Sequence, residues 1–184
     1  MALSIARRLG ASAVLSFALT CLGFAAEVPR AASDLTINID GKMVHPGDYK
    51  GKVLCLVVMS PTCPHCQNLT QTLNGISRDL APKGLQVLEV AFREMDPYIP
   101  QFRDQFKPAF PVGSSTRPEI ESFMQHSVMM RFMVPQMVII DRKGTVRVQL
   151  DAGSPTFENA AALRQVFETY LNEAPGARAS AAKK

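Results

Sequence analysis

Two cysteines separated only by Pro64 and His65, set between an apolar run and an amphipathic one, restrict the folds open to this chain more than any other feature. Val53-Leu54-Cys55-Leu56-Val57-Val58-Met59 is apolar throughout and of strand length, bounded by Lys52 and Ser60. Such a run predicts a strand buried on both faces, in a parallel or mixed sheet with helices on each side. Ser60-Pro61-Thr62 supplies the strand-to-helix loop, and Pro64 falls near the first helical position, where its missing N–H costs nothing. Beyond it Leu69, Leu73, Ile76 and Leu80 recur at helical spacing among polar residues. Cys63 is thereby expected at a helix N-terminus, where unpaired backbone N–H groups and the positive end of the helix dipole favour a thiolate. A Cys-x-x-Cys pair so placed is a reversible redox centre.

With 184 residues, 47% of them apolar and 20% charged, the chain has material for one domain with a real core. Its formal charge of +4 is carried by the ends: Arg7 and Arg8 near the start, Arg178, Lys183 and Lys184 in the tail. Without those five basic residues the body from Glu27 to Glu173 is slightly acidic, which gives no electrostatic footprint for nucleic acid. Arg7-Arg8 followed by the apolar and small residues Leu9 to Ala26 reads as a secretory signal over residues 1–26, with cleavage near Ala25 or Ala26 and an uncleaved anchor as the alternative. Export would place the body in a compartment where disulfides persist. Setting Cys21 aside with the leader, Cys63 and Cys66 pair and Cys55 is left over as a buried small hydrophobe.

Along the body, residues 27–34 are expected as a linker, 35–173 as the domain and 174–184 as a disordered tail. Leu35, Ile37 and Ile39 alternate with polar residues, and Asp40-Gly41 then turns a hairpin into Met43-Val44. Leu85 to Phe92 is a second buried strand, Asp96 to Phe106 a short helix, and Phe110-Pro111-Val112 a short extended piece. Thr116 to Gln125 is another short helix. Met137 to Ile140 and Val146 to Leu150 are strands joined by the Asp141-Arg142-Lys143-Gly144 turn, and a last helix starts near Thr156.

Strand, Cys-x-x-Cys, helix is the thioredoxin-like arrangement, and the chain resembles the TlpA/ResA-like thioredoxin-fold proteins. The resemblance is carried by Gly51-Lys52-Val53 before the strand, by Cys63 to Cys66 after it, and by Phe106-Lys107-Pro108-Ala109-Phe110-Pro111-Val112 after a short helix. Val134-Pro135 before Met137 to Ile140 and the Asp141 to Gly144 turn complete it, so that it spans Leu35 to Leu171. It implies an α/β thioredoxin fold: a central mixed β-sheet flanked by helices, with an N-terminal β-hairpin and a helical insert. It also implies an extracytoplasmic, often membrane-anchored protein that acts on disulfides of cysteine-containing proteins and is reset by a membrane redox partner. Pro135 is expected to be cis and to face the cysteines.

Three departures bear on the chemistry. The family usually carries Trp just before the first cysteine, where Thr62 stands here. Thioredoxin has a buried Asp six residues before that cysteine, a position held here by Val57, which leaves Cys66 without an evident base. Pro-His between the cysteines, with Val before the cis proline, is the pairing of the DsbA-like disulfide oxidases.

The expected roles follow. Cys63 is the nucleophile, Cys66 resolves the mixed disulfide, and His65 favours the thiolate when cationic. Val134 and Pro135, with Pro64 and Thr62, contact the substrate chain. No bound cofactor is required, and a zinc site lacks a second pair of ligands at metal spacing. A peroxidatic site would need Pro where Leu56 stands, although Ser60 fits. The competing class is a copper-binding metallochaperone, in which the cysteines would bind Cu(I) with the help of His126, Met129, Met130, Met133 and Met137.

Overall fold

The computed structural model describes residues 27–127 and 129–173. The expected leader and tail lie outside the described residues. The strands are β1 (Arg30–Ala31), β2 (Ile37–Ile39), β3 (Lys42–Val44), β4 (Val53–Met59), β5 (Leu85–Phe92), β6 (Val112–Ser115), β7 (Gln136–Ile140) and β8 (Thr145–Leu150). The α-helices are α1 (Pro64–Leu80), α2 (Ile99–Phe106), α3 (Arg117–Phe123) and α4 (Ala160–Leu171). All eight strands form one mixed sheet in the order β1-β8-β7-β4-β5-β6-β2-β3. β4 runs parallel to β5, and β5 to β6, while the other neighbours pair antiparallel.

β4 is a central strand, and each of its residues is at most 1% exposed, as its unbroken apolar run demands. Its odd-numbered side chains share one core with α1, α2 and α4, through Leu69, Leu73, Phe102, Leu163 and Phe167. Its even-numbered ones share a second core with Ile120 and Phe123 of α3 and with the N-terminal Leu35, Ile37 and Val44. Burying each large aliphatic chain in these layers stabilises the fold by about 1.5–3 kcal/mol.

The hairpin turns on Asp40 and Gly41, both at positive φ (52° and 86°), as a tight Asp-Gly turn requires. β2 then joins the sheet edge against β6, where Gly113 is obligatory. A Cβ there would sit 2.6 Å from the Asn38 carbonyl oxygen.

Several boundaries depart from the pattern-based expectation. Arg30–Ala31, inside the expected linker, pairs with β8, and the Arg30 guanidinium donates to the Phe123 carbonyl and to Gln149. The expected Asp96–Phe106 helix is a 3-10 segment, Arg93–Tyr98, followed by α2, because Pro97 and Pro100 each withhold an N–H there. The extended piece expected at Phe110-Pro111-Val112 leads into a strand not expected from the pattern, Val112–Ser115. Its polar Ser114 and Ser115 are buried, and Ser115 Oγ donates to the Thr36 carbonyl at 2.6 Å. The last helix begins four residues after Thr156, at Ala160, with Asn159 capping the Ala162 N–H at 3.0 Å and a 3-10 turn, Pro155–Glu158, before it.

Candidate active site

β4 ends at Met59, and Ser60, Pro61 and Thr62 carry the chain to Cys63, which is the N-cap residue of α1 with extended backbone. Pro64 occupies the first turn. The loop is held by the Cys63 N–H donating to the Ser60 carbonyl (3.1 Å) and by the Gln67 side-chain amide Nε2 donating to the Pro61 carbonyl (2.8 Å). Thr62 is exposed, its hydroxyl 3.2 Å from that of Ser60.

The two cysteines are not bonded to each other and differ sharply in environment. Cys63 is half-buried, and Cys66, one turn into the helix, is 1% exposed. Burial pushes the Cys66 thiol far above its ordinary value, and hydrogen bonding and charge from Cys63 and the Glu89 charge add to it, against the opposing backbone hydrogen bond from Ser60. The Val134–Pro135 peptide is cis, the isomer the resemblance implies. It faces the helix terminus: Cys63 Sγ lies 3.9 Å from the Val134 carbonyl oxygen. His65 is exposed and lines a groove beside Cys63.

That groove encloses about 640 Å³ between α1, the cis-proline loop and the turn after β8. Leu69, Val134, Pro135 and Phe157 give it an apolar floor, and Asn68 and Ser154 are among its polar rim. The structure thus assembles Cys63, Cys66, His65, Val134 and Pro135 from segments some seventy residues apart, with Pro64 and Thr62 exposed at the helix entrance.

One site residue was not expected from the sequence. Glu89 of β5 is 0% exposed and sits in register opposite Val57, the position at which thioredoxin carries its acid and this chain does not. The buried acid is present, but it comes from the neighbouring strand. Burial raises its carboxyl to about 8, against the Thr70 hydroxyl, which donates to Oε1 at 2.7 Å and lowers it. Oε2 has no hydrogen-bond partner among the described residues. The expectation that Cys66 has no nearby base is corrected accordingly. The available signal was a lone Glu in the otherwise apolar stretch Leu88 to Phe92, since an unpaired buried carboxylate is too costly to be packing filler.

The methionine cluster holds together only in part: His126, Met130 and Met133 line one shallow pocket, and Met137 is not among its lining residues. Met137 is fully buried in the sheet, whereas Met129, Met130 and Met133 are 90%, 66% and 51% exposed. One His126 ring nitrogen is 3.1 Å from the Met130 carbonyl, and the ring packs at a tilt against Phe132. Cys55 is fully buried, and burial followed by the Glu89 charge raises its thiol well above the ordinary value. No helix among the described residues is long and apolar enough to cross a membrane.

A parallel β4–β5 core, a dithiol at the N-terminus of α1 and a cis proline beside it define a thiol–disulfide oxidoreductase of the thioredoxin fold. The chain belongs to the Redoxin family, whose model matches residues 25–163. Its fold is similar to that of a Chlorobium tepidum protein assigned as a thiol:disulfide interchange protein DsbE, with a TM-score of 0.67 and 22% identity over 78% of this chain and 96% of that one. A thiol:disulfide interchange protein of the thioredoxin family from Chlorobium tepidum TLS gives 0.66 and 20% over 80% and 99%. A thiol:disulfide interchange protein from Bacteroides sp. gives 0.64 and 16% over 80% and 91%. At these identities the likeness is one of fold. Comparison with the curated proteins finds no match.

Proposed function

We propose that this is an exported oxidoreductase that exchanges disulfides with cysteine-containing proteins through Cys63 and Cys66. The observation that carries the proposal is the division of labour between the thiols: Cys63 half-buried at the helix entrance and beside the Val134 carbonyl, Cys66 sealed behind it. In the reducing direction, the Cys63 thiolate attacks one sulfur of a substrate disulfide. A Cys63–substrate bond forms and the other substrate sulfur leaves as a thiolate. Cys66 then gives its proton to the Glu89 carboxylate and attacks Cys63 Sγ. The Cys63–Cys66 bond forms, and the second substrate thiolate departs. In the oxidising direction the same bonds exchange in reverse, and protonated Glu89 returns the proton to the leaving Cys66. A carboxyl near 8 suits both roles around neutrality.

The substrate chain lies along Val134 with an apolar side chain in the groove above Leu69 and Phe157. Export is supported by Arg7-Arg8 and the apolar stretch behind them, and by the persistence of disulfides outside the cytoplasm. A membrane redox partner resets the dithiol. His65 and the helix terminus stabilise the reduced form, which favours a potential above thioredoxin's roughly −270 mV and hence oxidation of substrates. The same chemistry can be tested by trapping. Cys66→Ala should accumulate a mixed disulfide with a cysteine-containing protein, visible on non-reducing gels, and Cys63→Ala should not. Equal trapping by both variants would refute the assignment.

A further inference from the structure

The Thr70 side chain touches both residues on which the resolving step depends. Its hydroxyl is 3.0 Å from the Cys66 carbonyl oxygen, one helical turn back, and 2.7 Å from Glu89 Oε1 across to the sheet. Thr70 is fully buried, as is Glu89, so both contacts are made away from bulk solvent. A hydroxyl has one proton and here two acceptors. It satisfies them one at a time, and which one depends on Glu89.

We propose that Thr70 is a positioning residue whose hydroxyl switches partner with the protonation state of Glu89 and thereby sets the pH at which Cys66 can resolve a mixed disulfide. With Glu89 ionised, the Thr70 proton points to Oε1, and among the described residues this is the only hydrogen bond the carboxylate receives. With Glu89 neutral, its O–H donates to Thr70 Oγ1, and the Thr70 proton turns to the Cys66 carbonyl. Both states keep every proton of the pair engaged, so Glu89 can take up and release a proton without leaving an orphaned donor in the core.

The surroundings leave this control to few groups. On the sheet face that Glu89 shares, Val57 and Cys55 of β4 and Val112 of β6 flank it, and Cys66 and Thr70 of α1 lie over it. Among these only Cys55 and Cys66 titrate, and both are held neutral by burial around neutral pH. No cation among the described residues acts on Glu89 to hold the carboxylate ionised. The hydroxyl is therefore the group that favours the charged form.

The proposal rests on Glu89 serving Cys66 as described above, and the experiment separates the two. The reduced protein carrying 13C-labelled glutamate is titrated by NMR, with Glu89 assigned through Glu89→Gln, in wild type, Thr70→Val and Thr70→Ser. Valine keeps the shape and removes the hydroxyl. The Glu89 midpoint should rise by about one pH unit in Thr70→Val, a tenfold change in ionised fraction at fixed pH, and return in Thr70→Ser. In parallel, the rate at which a Cys63 mixed disulfide resolves should fall about tenfold near neutrality in Thr70→Val, with its pH profile displaced upward by the same amount. A purely structural role would lower the rate without moving the profile. An unchanged Glu89 midpoint in Thr70→Val overturns the proposal, and should that variant not fold, an unchanged midpoint in Thr70→Ala does so. A moved midpoint with a resolution rate that ignores Glu89→Gln would leave the Thr70–Glu89 switch standing and refute instead the role of Glu89 toward Cys66.

Discussion

Replacing Glu89 by glutamine should change how stability depends on pH, and the sign and window follow from burial. Glu89 is fully buried, and its carboxyl is raised to about 8 from the ordinary 4.5. The folded chain therefore binds a proton there that the unfolded chain has already lost, so the contribution of Glu89 to stability is most favourable below about pH 4.5 and declines until Glu89 ionises near pH 8. The whole displacement corresponds to at most about 5 kcal/mol between those limits, at about 1.36 kcal/mol per unit. That is a large fraction of the ~5–15 kcal/mol of a typical domain. The glutamine side chain stays neutral throughout and can still accept from Thr70. Glu89→Gln should thus be nearly neutral or mildly destabilising at pH 5 and clearly stabilising, by several kcal/mol, at pH 8. The check is urea unfolding of the reduced protein at half-unit steps from pH 5 to 8, kept below the range where Cys55 and Cys66 of the unfolded chain ionise. A wild-type-minus-variant difference that stays flat across this window would refute the assignment of a neutral, buried Glu89.

Two further outcomes are expected. His65→Gly should make the Cys63–Cys66 disulfide harder to reduce, by some tens of millivolts at about 1.4 kcal/mol per 30 mV; equilibration with glutathione reads the shift, and an unchanged or less negative potential would exclude a stabilising role for His65 in the dithiol. Asp141→Asn should cost about 1–3 kcal/mol at neutral pH, because Asp141 accepts from the Lys143 and Thr145 N–H groups and from Arg147. Against the opposing effect of burial, those donors hold its carboxyl below the ordinary value, so the cost should be complete above about pH 4 and vanish as pH falls through the lowered value; denaturation midpoints at acid and neutral pH test this.

Local rules decided much of this protein before any tertiary contact. An apolar run of seven residues could only be a strand covered on both faces, and β4 is one. Cys63 followed by Pro64 could start a helix but not continue one, and Asp40-Gly41 could turn a hairpin where few other pairs could. The dithiol, its helix and the proline loop were legible for the same reason: each depends on neighbours a few residues away, or on a family pattern written in short motifs. The strand at Val112–Ser115 was not legible at its true position. Its serines are buried by partners on β2 and α3 that the local pattern does not contain.

The buried carboxyl was hidden for a deeper version of that reason. Searching β4 for an acid finds Val57, and nothing in β4 states that the residue beside it in space is Glu89. Parallel pairing joins strands separated by a whole helix, and its register is set by how α1 packs back across the sheet rather than by either strand's own alternation. The sequence therefore settled which residues could be thiolate, turn and core. Only the folded sheet settled that a carboxyl 23 positions beyond Cys66 is buried beside Val57, with the Thr70 hydroxyl bonded to it and to the Cys66 carbonyl.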